Sequence, residues 1–120
     1  MKYTWQEFDE DVKEIIEILP KLKKGEIKNV YGIPRGGLVP AVKLSNLLNI
    51  PVILNKGQIT ENTLVVDDIC DSGKTLNRFR KEKKGGLFIT LFWKRGSITN
   101  ADFSLREKKK DWIVFPWEAD

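Results

Sequence analysis

The sequence contains no histidine and a single cysteine, Cys70, among 120 residues. Without an imidazole, Ser-His-Asp and Cys-His catalysis and His-ligated metal sites are excluded. One cysteine cannot close an intramolecular disulfide, which excludes a secreted disulfide scaffold. Long apolar runs are missing as well, and none approaches the ~18 residues that a membrane span needs. The first ten residues are charged and lack the apolar stretch of a signal peptide, so a cytoplasmic location is expected. The chain is 41% hydrophobic and 32% charged. Its length predicts a single domain over residues 1–120, able to bury about two-thirds of its unfolded surface.

The net charge of +4, from 21 basic and 17 acidic residues, points only weakly to nucleic acid. The distribution says more. Residues 1–20 carry Lys2 and Lys13 against six acids, a balance of −4, whereas residues 76–110 carry eleven basic residues against three acids, a balance of +8. A basic segment attracts phosphates on small molecules as well as on nucleic acid. The runs Lys81–Lys84 and Arg106–Lys110 read as solvated faces, and nucleic acid is not the expected partner.

Thr4 and Glu7 have the spacing of a capping box. Behind them Trp5, Phe8, Val12, Ile15, Ile16 and Leu19 recur at helical spacing, with Pro20 and Gly25 as the stop. Strands are expected at 30–33, 52–54, 63–66 and 87–93, helices at 39–48 and 74–84, and a further edge strand around Phe103. Strands alternating with helices at this spacing predict an α/β fold around a mostly parallel sheet with flanking helices. In such sheets ligands bind at the carboxyl ends of the strands, which directs attention to the loops after Ile33 and Val66.

The second of these loops carries the most chemistry. An apolar strand, Leu64-Val65-Val66, runs into Asp67 and Asp68, then Ile69-Cys70, then Asp71-Ser72-Gly73-Lys74-Thr75 at the start of a helix. Gly73 permits close backbone approach, Ser72 and Thr75 offer hydroxyls, and the free N–H groups of a helix start complete an anion cradle. Carboxylates repel phosphate, so the acid pair suits vicinal sugar hydroxyls or a Mg²⁺ ion shared with a second phosphate group. Gly73-Lys74-Thr75 is not a P-loop, because that pattern needs a glycine where Asp68 stands. Cys70 reads as a small buried hydrophobe, and Trp93 and Trp117 as packing or subunit-interface residues.

Residues 64–75 resemble the 5-phosphoribosyl-1-pyrophosphate (PRPP) motif of type I phosphoribosyltransferases. Ile33-Pro34-Arg35-Gly36-Gly37-Leu38-Val39-Pro40 resembles the pyrophosphate loop of the xanthine-guanine, or 6-oxopurine, branch of that family. Leu91-Phe92-Trp93-Lys94 falls where those enzymes carry a purine-reading lysine. Asp111-Trp112-Ile113 through Pro116-Trp117-Glu118 is similar to their purine-stacking tail, and Tyr3-Thr4-Trp5 to their start. The similarity runs in order along nearly the whole chain.

The resemblance implies a three-layer type I phosphoribosyltransferase fold and Mg²⁺-dependent transfer of phosphoribose from PRPP to N9 of guanine, xanthine or hypoxanthine, as in purine salvage. It implies that Asp67 and Asp68 hold the ribose hydroxyls and Mg²⁺, and that Ser72, Gly73, Lys74 and Thr75 cradle the 5-phosphate. Asp71 matches the carboxylate assigned as base near purine N7. Arg35, with the Gly36 and Gly37 amides, would bind pyrophosphate, in a loop that can hold a non-proline cis peptide, here Pro34–Arg35. Lys94, Trp112 and main-chain atoms near Ile113 would hold the purine. A homodimer or homotetramer is the implied assembly. A PRPP- or nucleotide-binding regulator on the same fold is the alternative, without need of a purine pocket.

One departure stands out. Family members carry a long flexible hood before the PRPP-motif strand, but here only Asn55 to Asn62 separate Leu54 from Thr63. So short a connection makes no long lid. Lys56 within it is long enough to reach a phosphate.

Overall fold

The computed structural model describes residues 1–22, 25–82, 86–110 and 112–118. Helix α1 (Trp5–Leu22) leads to strand β1 (Asn29–Gly32), helix α2 (Leu38–Leu48) and a short strand β2 (Val52–Ile53). Strand β3 (Thr63–Cys70), helix α3 (Lys74–Glu82), strand β4 (Leu87–Lys94) and strand β5 (Phe103–Lys108) follow. The strands form one sheet in the order β2-β1-β3-β4-β5, with every adjacent pair parallel.

Alternation along β3 explains the layers. Leu64 and Val66 point into a core shared with Phe8, Val12 and Ile15 of α1 and Leu44 of α2. Val65 points the other way, into a second core with Tyr31, Phe88 and Leu76 and Phe79 of α3. Side chains of period two thus divide the helices between the two faces, α1 and α2 on one and α3 on the other. Both faces are covered, as an all-parallel sheet requires.

The capping box forms as expected. Thr4 N donates to Glu7 Oε1 at 3.1 Å, and Glu7 N donates to Thr4 Oγ1 at 3.1 Å. Pro20 does not stop α1, which continues to Leu22. In the last turn a proline removes one hydrogen bond, and Leu22 gains contact with the main core by continuing. Strand β2 stops at Ile53, one residue short of the expected Leu54, which is exposed. The expected continuation of α3 to Lys84 lies outside the described residues.

The basic run Arg106–Lys110 is only partly a solvated face. Arg106 Nε donates to Asp11 Oδ2 at 2.7 Å and Nη2 to Asp11 Oδ1 at 3.0 Å, while Glu7 Oε2 lies 3.5 Å from Nη1. Tyr3 donates its hydroxyl to the same Asp11, which is buried, and the guanidinium lies over the Tyr3 ring. Burial first, and the Asp11 hydrogen bond next, push the Tyr3 hydroxyl far above its ordinary pKa. The acidic N-terminal helix and the basic last strand therefore neutralise each other inside the fold.

Removing one member of a buried pair leaves an uncompensated charge. Arg106→Met is expected to destabilise the chain by about 3 kcal/mol, near the lower end for such pairs because the guanidinium is partly exposed. The double change Asp11→Leu/Arg106→Met is expected to recover most of that loss. Urea unfolding of the three proteins checks this, and a double variant no more stable than the single one would contradict it.

Candidate active site

Strands β1 and β3 are neighbours in the sheet, with Gly32 paired to Val66, but their chains leave toward opposite faces. This is the topological switch point of the sheet, where the two following loops open a crevice between them. Ile33 N prolongs the pairing by donating to Val66 O at 2.9 Å. The chain then turns through the cis Pro34–Arg35 peptide and closes back, with Gly37 N donating to Ile33 O at 2.8 Å. The Gly37 N–H, expected beside the pyrophosphate, here closes the turn within the loop. A Cβ on Gly36 would lie 2.1 Å from Asp68 Oδ2, so only glycine lets this backbone rest against the carboxylate.

Asp67 and Asp68 belong to β3 itself, which runs on to Cys70 and past the Val66 expected as its end. Each carboxylate accepts the next residue's N–H: Asp67 Oδ1 from Asp68 N at 2.8 Å, and Asp68 Oδ1 from Ile69 N at 2.8 Å. Asp67 lines a small pocket of about 90 Å³ together with Asp71, Ser72, Gly73 and Thr75. Asp68 lines a wider one of about 730 Å³ with Arg35, Gly36, Trp117 and Glu118. The pair thus joins two pockets. Burial raises both carboxyls above the usual carboxylate range, Asp67 also through the charge of its neighbour.

The cradle at the start of α3 is braced by residues 97–99, in the connection between β4 and β5. Ile98 N donates to Ser72 O at 2.8 Å, Ser97 Oγ to Asp71 O at 2.6 Å, and Cys70 Sγ to Thr99 O at 3.2 Å. Gly73 has φ +84°, and a Cβ there would meet Thr99 N and O at 2.7 Å. Ser72 Oγ accepts from Lys74 N at 3.2 Å, the local bond that starts the helix. No sequence signal marked this brace.

Asp71 and Lys94 meet across the strand ends, with Lys94 Nζ 3.7 Å from Asp71 Oδ1. Lys108 Nζ reaches the same oxygen at 4.0 Å and lies 5.3 Å from the centre of the Trp112 ring. Trp112 is 73% exposed and so is not a core residue, whereas Ile113 is buried and belongs to the main core. The tail is anchored by the N-terminal segment, Tyr3 N donating to Val114 O at 3.0 Å and Val114 N to Met1 O at 2.9 Å. Trp117 stacks on Phe115 and meets Phe8 edge-on, and Trp93 packs against the second core. Lys56 does not reach the site but pairs with Glu82, at the far end of α3, at 3.4 Å.

An all-parallel sheet with an acid pair leading into an anion cradle at its switch point defines a type I phosphoribosyltransferase fold. No family model matches the chain. It is 29% identical over 138 aligned positions to the xanthine-guanine phosphoribosyltransferase of Nitratidesulfovibrio vulgaris, covering 98% of this chain and 83% of that protein. It is 32% identical to the enzyme of the same name from Cereibacter sphaeroides, over 78% of this chain and 71% of that protein. The crystal structure of a purine phosphoribosyltransferase from Pyrococcus horikoshii superposes with a TM-score of 0.78 at 30% identity, covering 100% of this chain and 95% of that one. The chain belongs to the purine phosphoribosyltransferase family.

The half-buried acid pair has a measurable consequence. A carboxyl raised by the fold stabilises it while protonated, below the ordinary value of about 4, and that contribution is lost as pH rises through the raised value. The protein is expected to lose stability between about pH 4 and about pH 8, the raised value for Asp67, and Asp67→Asn to flatten that loss. Thermal unfolding across this range checks it; equal slopes in both proteins would count against strain at the acid pair.

Proposed function

We propose that this protein transfers the phosphoribosyl group of PRPP to N9 of a 6-oxopurine, releasing pyrophosphate, as a cytoplasmic purine-salvage enzyme acting as one domain. The observation that carries this reading is the Asp67–Asp68 pair, set between an anion cradle and an arginine-bearing glycine loop in a chain of this family.

Each group has a physical role. The 5-phosphate sits at the N-terminus of α3, against backbone N–H groups of Gly73, Lys74 and Thr75 and the hydroxyls of Ser72 and Thr75. Asp67 and Asp68 accept from the ribose hydroxyls. Arg35, with its planar fork of donors, and the Gly36 backbone hold the pyrophosphate. The base stacks on Trp112, its 6-oxo group accepts from Lys94, and main-chain atoms at Ile113 meet its edge. As the bond from the anomeric carbon to the pyrophosphate oxygen breaks and the bond to N9 forms, Asp71 takes the proton the base must lose, near N7.

Mg²⁺ fits the donor set. Among the described residues no group of three or more ligating side chains is found, and two carboxylates raised by burial favour a cation beside them. Asp67 and Asp68 would hold the ion with water and substrate oxygens completing its shell, where it would offset the charge on the departing pyrophosphate.

The cover over the reacting ribose is slight. Residues 55–62 form two short turns: Lys56–Gln58, closed by Asn55 Oδ1 accepting from Gly57 N at 2.8 Å, and a second in which Thr63 N donates to Thr60 O at 3.1 Å. Glu82, to which Lys56 is tied, stands about 12 Å along α3 from the cradle. The aligned relative has insertions that this chain lacks, as 138 aligned positions against 120 residues require. We read the chain as relying on a second copy for shelter. The groove of about 520 Å³ lined by Trp5, Leu38, Val39 and Val42 adjoins the Arg35 pocket and is the apolar face suited to one.

A purine panel with PRPP and Mg²⁺, following nucleotide formation, tests the reaction. Guanine-class bases are expected to react and adenine to be rejected, since its 6-amino group offers Lys94 no acceptor. Use of orotate or uracil but no purine would overturn the base assignment. PRPP binding without transfer to any base would instead support a regulatory protein. Asp71→Asn is expected to lower turnover by roughly 10²–10⁴-fold with little change in PRPP affinity, and near-normal turnover would remove Asp71 from the role of base.

An exposed reacting centre loses the benefit of water exclusion. Measurable PRPP hydrolysis in the absence of purine is therefore expected, falling as protein concentration rises. Tightly coupled transfer by a monomer would show that residues 55–62 suffice.

A further inference from the structure

Strands β4 and β5 are paired so that Lys94 and Lys108 are direct cross-strand neighbours. Their side chains project from one face of the sheet and converge on one oxygen, Asp71 Oδ1, at 3.7 Å and 4.0 Å. The two lysines are not equivalent. The Lys108 side chain is 13% exposed against 53% for Lys94, and its ammonium lies at the Trp112 ring. Glu107 does not neutralise it, because that carboxylate is held by Arg95 at 3.0 Å and Lys109 at 2.7 Å. Among the described residues, two ammonium groups thus face one carboxylate beside the ring on which the base is proposed to stack. Reading a 6-oxo group calls for only one of them.

We infer that Lys108 is a specificity residue that makes the base site favour a negatively charged purine, so that xanthine is preferred over guanine and hypoxanthine; this rests on the proposed transfer reaction. The second oxo group of xanthine makes a ring N–H acidic enough to ionise near neutral pH, where guanine and hypoxanthine remain neutral. An anionic ring stacked on Trp112 with its edge toward Lys94 gains attraction from both ammonium groups. A neutral ring gains only a hydrogen bond from the first. A half-sheltered pair of opposite charges a few ångströms apart is not fully screened, which is enough to discriminate between bases.

The test is kcat/KM for xanthine, guanine and hypoxanthine across the pH range in which xanthine ionises, in the unaltered protein, Lys108→Met and Lys108→Arg. Methionine keeps an unbranched stem under Trp112 and removes only the charge. In the unaltered protein the xanthine-to-guanine ratio is expected to rise with pH. Lys108→Met should lower that ratio about tenfold, equivalent to about 1.4 kcal/mol, and flatten its rise, while Lys108→Arg retains both. Binding of the two product nucleotides, xanthosine and guanosine monophosphate, by calorimetry should show the same loss of preference and does not depend on turnover. An unchanged ratio in Lys108→Met, or an equal fall for all three bases, would overturn the inference. Absence of transfer with every base, alongside a charge-dependent preference for xanthosine monophosphate, would overturn the proposed reaction and leave the role of Lys108 standing.

Discussion

The parallel pairing of β1 with β3 is the constraint on which the site depends. Because Gly32 is held opposite Val66, the loop that follows β1 has to turn directly beside the carboxyl end of β3. There Gly36 lies against Asp68, and the Gly37 N–H closes the turn onto Ile33 O. A one-residue slip would reverse which side chains of β3 face each core and carry the acid pair to the wrong sides. The two apolar cores that lock this register therefore also set the spacing between the arginine loop and the anion cradle.

Holding that arrangement has a cost that the rest of the molecule offsets. Asp67 and Asp68 are partly withdrawn from water next to one another, and burial disfavours their charged forms. Nothing in the ligand-free chain pairs them with a cation at salt-bridge distance among the described residues. The acids of α1 are treated differently: Asp11 is as buried as a core residue yet meets both Arg106 and Tyr3. One buried carboxylate is paired and ties an edge strand to a helix; the other two, half-buried, each accept the next residue's N–H and meet no cation among the described residues. That contrast separates a structural charge from one suited to a ligand.

The connection between β4 and β5 links the two halves of the site. Ser97 holds the Asp71 carbonyl, Ile98 holds that of Ser72, and Thr99 receives both Cys70 Sγ and Arg80 Nη1, the latter at 2.9 Å. The cradle and the Lys94 end of β4 are therefore braced by one short stretch of chain, Ser97 Oγ also donating to Lys94 O at 2.7 Å.

Alternating apolar segments, the acid pair before Asp71-Ser72-Gly73-Lys74-Thr75, and the glycine loop after Ile33 were legible in the residues alone, because backbone propensity, side-chain period and local anion chemistry are short-range properties. They determined an α/β sheet and a phosphate-binding loop. The length of β3 was not legible: two adjacent carboxylates look like the end of a strand, yet ladder bonds to β4 carry the strand through them to Cys70. Nor were the fates of neighbouring charges. Arg106, Glu107 and Lys108 are consecutive in an unremarkable basic run, but one is drawn to Asp11, one to Arg95 and Lys109, and one to Asp71 and Trp112. A strand sends successive side chains to opposite faces, so Glu107 parts from Arg106 and Lys108, and the partners Asp11, Arg95 and Asp71 come from distant parts of the chain. Only the tertiary structure decides that.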